Sequence, residues 1–161
     1  MTHESRLTSE LRRLLLARRT AALGTLDAEG LPHVSMVPYA IDATAPRLVL
    51  LISGLAAHTG HIQRQPRVSL LITDHETPGQ PVHALGRLTL AARATLAEPQ
   101  TDDALTLRQA YLRRFPEAEP IGALPDFRYV GLQVQAIRQI AGFGAARDVD
   151  LDTFQSLLRS L

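Results

Sequence analysis

The stretch SGLAAHTGHIQRQPRVSLL, residues 53–71, sets Ser53, His58, Thr59 and His61 between two apolar runs. Hydroxyls and imidazoles are donors for an anion, and here they surround what reads as the start of a short helix running to Gln65. A helix start offers unpaired N–H groups and the positive end of the helix dipole, which suit a phosphate. The same residues also read as a plain helix cap, with Thr59 capping and both histidines facing water. As metal ligands His58 and His61 lack a third partner, since no cysteine or suitably spaced carboxylate accompanies them. Asp74-His75-Glu76 reads as a solvated turn, so no metal is expected.

Two other segments carry candidate chemistry. Pro32-His33-Val34-Ser35-Met36-Val37-Pro38 reads as a strand, and Pro38 cannot donate to a ladder, which places it at a sheet edge or a bulge. An edge backbone leaves groups free for a flat heterocycle, or serves as protection against aggregation. Gly142-Phe143-Gly144 ends a long strand, with Arg147 just beyond, free to meet an anion or to pair with Asp148 or Asp150.

The elements that must position these residues follow from periodicity. Leu7, Leu11, Leu14 and Leu15 mark an N-terminal helix over about 5–19, capped by Thr8 or Ser9. Extended segments follow on either side of Ala28-Glu29-Gly30, then Arg47–Ser53, Arg67–Thr73 and Val82–Ala97, the last with a bulge expected at Gly86. Leu105, Leu107, Tyr111, Leu112 and Phe115 give a helical stripe. From Tyr129 the chain alternates again, with Val130, Leu132, Val134 and Ala136 on one side. Asp150 or Asp152 caps a last helix over about 150–160. The expected fold is mainly β with helices (α+β): a six-stranded antiparallel barrel in a single domain over 1–161. Such a barrel is filled by its own side chains, so a ligand belongs outside it.

Composition narrows the chemistry. There is no cysteine and no lysine, and all 17 basic residues are arginine. Thiol nucleophiles, Schiff bases and P-loops are thereby excluded, and redox chemistry would need a bound cofactor. A net charge of +1 gives no field for nucleic acid or an anionic membrane, and neither partner is expected. The polar N-terminus is unlike a signal peptide, so a cytoplasmic location is expected.

In order and spacing, GTLDAEGLPHVSMVPYAID, SGLAAHTGHIQRQPRVSLLI and AIRQIAGFGAARDVD resemble the FMN-binding split-barrel superfamily, the pyridoxamine 5′-phosphate oxidase-like proteins, with the haem-utilisation branch the nearest likeness. The resemblance implies a six-stranded split β-barrel that forms a homodimer with FMN at the subunit interface. It implies an oxidoreductase acting on an unspecified small molecule, or else a non-catalytic haem- or flavin-binding protein; the deazaflavin F420 is a further alternative. Carried over by position, Ser35, Met36, Val37 and Pro38 lie along the flavin ring. Ser53 falls on a threonine that meets the phosphate, His58 and Thr59 on an Arg-Lys pair that neutralises it, and Arg147 or Arg138 on an arginine at the flavin edge. The family arginine is replaced by Ser35, and the oxidase lysine by Ala40. The C-terminal histidine that binds iron in haem-degrading relatives has no counterpart, because the last histidine of this chain is His83.

Overall fold

A computed structural model gives the structure of the chain and describes residues 5–161. Helix α1 (Arg6–Ala17) buries Leu11, Leu14 and Leu15, one face at helical spacing. Its cap is Ser5, whose Oγ accepts the Thr8 N–H at 3.2 Å; the hydroxyl of Thr8 is engaged with Ser5 rather than acting as the cap. Strands β1 (Thr20–Leu26) and β2 (Pro32–Pro38) form a hairpin. Its turn is fixed by Asp27 Oδ1, which accepts the N–H of Glu29 and of Leu31, and by Gly30 at φ +80°.

The segment that alternates from Pro32 to Asp42 is broken at Tyr39. Strand β3 (Ala40–Asp42) pairs not with β1 but with β4 (Arg47–Ser53). Tyr39 is wholly buried, its N–H bonded to the Arg19 carbonyl and its hydroxyl to the Leu15 carbonyl at 2.9 Å. That anchor sends the chain from one edge of the sheet to the other. Helix α2 (Ala57–Arg64) precedes β5 (Arg67–Thr73). Strand β6 (Arg87–Leu96) begins five residues later than expected, because Val82–Ala84 forms a helical turn. Helices α3 (Asp102–Arg114) and α4 (Glu119–Gly122) lead to β7 (Phe127–Ile140), β8 (Ala146–Asp148) and α5 (Leu151–Arg159), the last capped by Asp150.

The sheet is antiparallel in the order β2-β1-β5-β6-β7-β4-β3, with β8 beside β7. It curls so that β2 lies against β4. The fold is thus the split, half-open barrel expected, with eight strands instead of six. The count rises because β3 separates from β2 and β8 is too short to signal itself. Pro38 does sit on an edge strand.

The bulge is not at Gly86. Ala91 pairs with Ala136 and Ala92 with Val134, which leaves Gln135 as an extra residue in β7. The extra residue reverses the alternation: Val130, Leu132 and Val134 face the core, then Ile137 and Gln139 do, and Ala136 is exposed. The main core joins Leu23, Leu50, Leu70, Leu90 and Leu132 to α1 and to Phe154 of α5. Strand β4 is buried on both faces, Val49 and Leu51 packing into a second cluster with Leu107 and Tyr111 of α3 and Phe115 just beyond it. Among the described residues, no helix is long and apolar enough to cross a membrane.

Candidate functional site

The stretch 53–71 forms the end of β4, a tight turn, α2 and most of β5. The turn is tied back on itself: the Ser53 carbonyl accepts the Ala56 N–H at 3.1 Å and the Thr59 hydroxyl at 2.6 Å. The cap position of α2 is Ala56, which supplies no side-chain acceptor. Thr59 therefore does not cap the helix. It is buried, at the third helical position, and its proton goes to Ser53.

The Ser53 hydroxyl is also committed. It donates to Asp126 Oδ2 at 2.7 Å and accepts the Leu55 N–H at 3.1 Å. His58 stands across from β2, its Nδ1 3.0 Å from Ser35 Oγ, while its Nε2 is buried with no hydrogen-bond partner among the described residues. Burial, and then the neighbouring His33 and His61, push the His58 imidazole below its ordinary value, so its ring is neutral at pH 7. His61 is not in water either. It is buried, its Nδ1 is 2.9 Å from Thr25 Oγ1, and the His33 ring meets it edge-on at 5.1 Å.

The other carried-over positions are only partly brought together. Ser35 and Val37 face inward from β2 and Met36 faces out, with Val37 sealed in the core and Pro38 at the strand end opposite Thr20. Arg147 lies elsewhere. Its Nε donates to Gln139 Oε1 at 2.8 Å and its Nη2 reaches Thr8 Oγ1 at 3.4 Å. Phe127 pairs with Ser53 while Gln139 lies twelve residues further along β7, so about 40 Å of strand separates them. Within one chain Arg147 does not share the site of Ser53. It also leaves the expected ion pair to Arg138, which meets Asp148 at 3.1 Å.

This donor set does not fit a phosphate dianion. Of the three side chains expected to cradle one, Thr59 gives its proton to a carbonyl, Ser53 gives its proton to a carboxylate, and His58 carries no charge. On the outer face of β1, β2 and β5 the chemistry differs. Val34 and Met36 are about two-thirds exposed there. A groove of about 450 Å³ runs past Leu26, His33, Val34, Arg67, Ser69 and Gln135. Sequence reasoning missed Asp126, His33 and Thr25, because nothing in the local pattern of residues marks a partner supplied by another strand.

The profile of the family described as pyridoxamine 5′-phosphate oxidase matches residues 7–141. The chain belongs to that family. Within the pyridoxamine 5′-phosphate oxidase family it is similar to HutZ of Vibrio cholerae serotype O1, named a heme oxygenase, with 30% identity over 150 residues, 92% of this chain and 84% of that protein. The crystal structure of Vibrio cholerae HutZ, described as a heme storage protein, superposes with a TM-score of 0.75 at 30% identity, covering 83% of this chain and 94% of that one. The non-canonical heme oxygenase HOZ of Arabidopsis thaliana is 33% identical over 119 residues, 73% of this chain, which spans only 34% of the plant protein. A heme binding protein from Mycobacterium smegmatis gives a TM-score of 0.82 at 27% identity, over 97% of this chain and 62% of that one. The resemblance to the haem-utilisation branch is therefore borne out.

Proposed function

We propose that this member of the pyridoxamine 5′-phosphate oxidase family binds haem, as the non-catalytic alternative of the flavin reading has it, rather than FMN. The observation that carries the reading is the commitment of Ser53 and Thr59 to other partners, which leaves a dianion without their hydroxyl donors while an apolar groove lies open on the outer face. The haem-related names of its relatives support the same reading.

The outer groove supplies the apolar walls and the cation that such a group needs. A haem supplies four of the iron's ligands itself, so the protein needs to contribute only an axial donor, a dry face and counter-charges for the carboxylates. Among the described residues no group of three or more His, Cys, Asp or Glu is placed to hold a bare metal ion. Leu26 and Val34 give the groove apolar walls and Arg67 supplies a cation, while the His33 imidazole lies on the inward side of β2 with Ser35 and Val37 and packs edge-on against His61. When bound, the haem would supply electron-transfer and O₂ chemistry. This chain would orient it, shed water from its faces and neutralise its propionates.

The test is a titration of the purified protein with hemin, and separately with FMN and with F420. Hemin is expected to give a saturable Soret band with one haem per chain, weakened in Arg67→Ala, and both flavins to bind at least about tenfold more weakly than hemin. A flat hemin titration together with saturable FMN binding would return the function to a flavin-dependent oxidoreductase.

The proposal includes a second copy of the chain over the outer face. Val34 and Met36 of β2 and Leu71 of β5, on either side of β1, are exposed apolar side chains on one face, and such a patch marks an interaction surface. Sedimentation is expected to give a dimer of the 17.6 kDa chain, and Met36→Glu to give monomer. A wild-type monomer at micromolar concentration would contradict it.

A further inference from the structure

We propose that Asp126 sets the specificity of the turn between β4 and α2 against phosphate-bearing ligands, FMN among them. Without Asp126 the turn has the ingredients of an anion site. Ser53 leads into it, the first N–H groups of an eight-residue helix follow, and the helix has no side-chain cap to satisfy them. The structure brings one carboxylate to this place. Asp126, from the loop before β7, accepts the Ser53 proton at 2.7 Å. Its backbone is locked there as well, because its carbonyl accepts the Gly54 N–H at 2.6 Å. Gly54 suits that approach, since a Cβ at this position would stand a tight 3.0 Å from the same carbonyl oxygen.

A carboxylate so placed opposes phosphate twice. It removes the hydroxyl proton that a phosphate oxygen would accept, and it sets a like charge beside an incoming dianion. The two effects act on the phosphate and not on the remainder of a ligand, so the structure assigns Asp126 a discriminating role and not a general blocking one. Among the described residues neither Arg64 nor Arg67 is paired with Asp126 to cancel its charge. His58 brings none at neutral pH.

FMN and riboflavin differ only in the phosphate, which makes them the pair of probes. Flavin fluorescence is titrated with wild type and with Asp126→Asn, which keeps an acceptor for Ser53 and removes the charge. Asp126→Asn is expected to bind FMN at least about tenfold more tightly than wild type does, with riboflavin changed less than about threefold. A smaller gain for FMN, or an equal gain for both flavins, overturns the assignment. If the variant does not fold, the wild type decides: FMN bound no more than about threefold better than riboflavin supports the role, and a larger preference overturns it. Neither arm uses haem, so the result is independent of the haem reading.

Discussion

Replacing Arg114 by methionine is expected to lower the unfolding free energy by about 2–4 kcal/mol. Helix α1 ends with no basic residue in its last turn, so its final carbonyls lack a local partner. Arg114, from the last turn of α3, fills that gap. Its Nη2 donates to the carbonyls of Leu15 and Leu16 at 3.2 and 3.1 Å and to that of Arg18. Its guanidinium lies 5.0 Å above the Tyr39 ring, whose hydroxyl already holds the Leu15 carbonyl. Methionine keeps the packed stem and removes only the donors and the charge, so the loss reads the cap and not a cavity. Arg19 is the control: it covers Phe115 and meets Glu117, but in solvent, and Arg19→Ala is expected to cost less than about 1 kcal/mol. Urea denaturation of the two variants measures both values. An Arg114→Met variant within about 0.5 kcal/mol of wild type would show that water satisfies those carbonyls equally well.

Asp42→Asn is expected to cost about 2–4 kcal/mol at pH 7 and to blunt acid unfolding. Asp42 is 2% exposed, yet none of its oxygens is left alone. Oδ1 accepts the Thr44 N–H and hydroxyl and Oδ2 accepts the Arg47 Nε–H, while Arg47 reaches on to Asp103 of α3 at 2.5 Å. Burial pushes the Asp42 carboxyl up, but the hydrogen bonds from Thr44 and Arg47 outweigh it and hold it below the usual carboxylate range. The sign follows from linkage. A carboxyl held low in the folded state stabilises it above the ordinary value of about 4, and that contribution is lost as pH falls below it. An asparagine presents N–H donors to at least one of the donors it faces and does not titrate. Denaturation at pH 7, 4 and 3 should therefore show a variant that is weaker at pH 7 and falls less steeply with acid. Asp74, also held low by Arg13, keeps part of the acid dependence in both proteins. Equal acid slopes in wild type and variant would remove Asp42 from the account.

Both residues bear on the site through the frame they hold. Asp42 and Arg47 close the β3–β4 hairpin that ends at Ser53, and Arg114 with Tyr39 fixes the crossing that separates β2 from β3. The edge strand that carries Ser35 and His33 exists because of that crossing.

Much of the frame was legible along the chain. Alternation found most strands, leucine spacing found α1 and the stripe of α5, and Pro38 marked an edge, because each of these signals is local and repeats with the period of its own element. Where a long-range contact overrode the local pattern, the reading slipped. Tyr39 split one extended segment into two strands, Gln135 moved the bulge from Gly86, and His61 went from water into the core through Thr25.

The stretch from Ser53 to Leu71 shows the division most plainly. The sequence by itself determined that a strand, a turn and a short helix would bring Ser53, His58 and Thr59 close together, since spacing of a few residues decides that. Whether those side chains have protons or charge to offer was decided only by tertiary structure. Asp126, 73 residues away, takes the proton of Ser53, and burial beside His33 and His61 leaves His58 neutral. A hydrogen-bond donor is spent on whichever acceptor the fold brings within reach, and the order of residues in the chain does not say which acceptor that is.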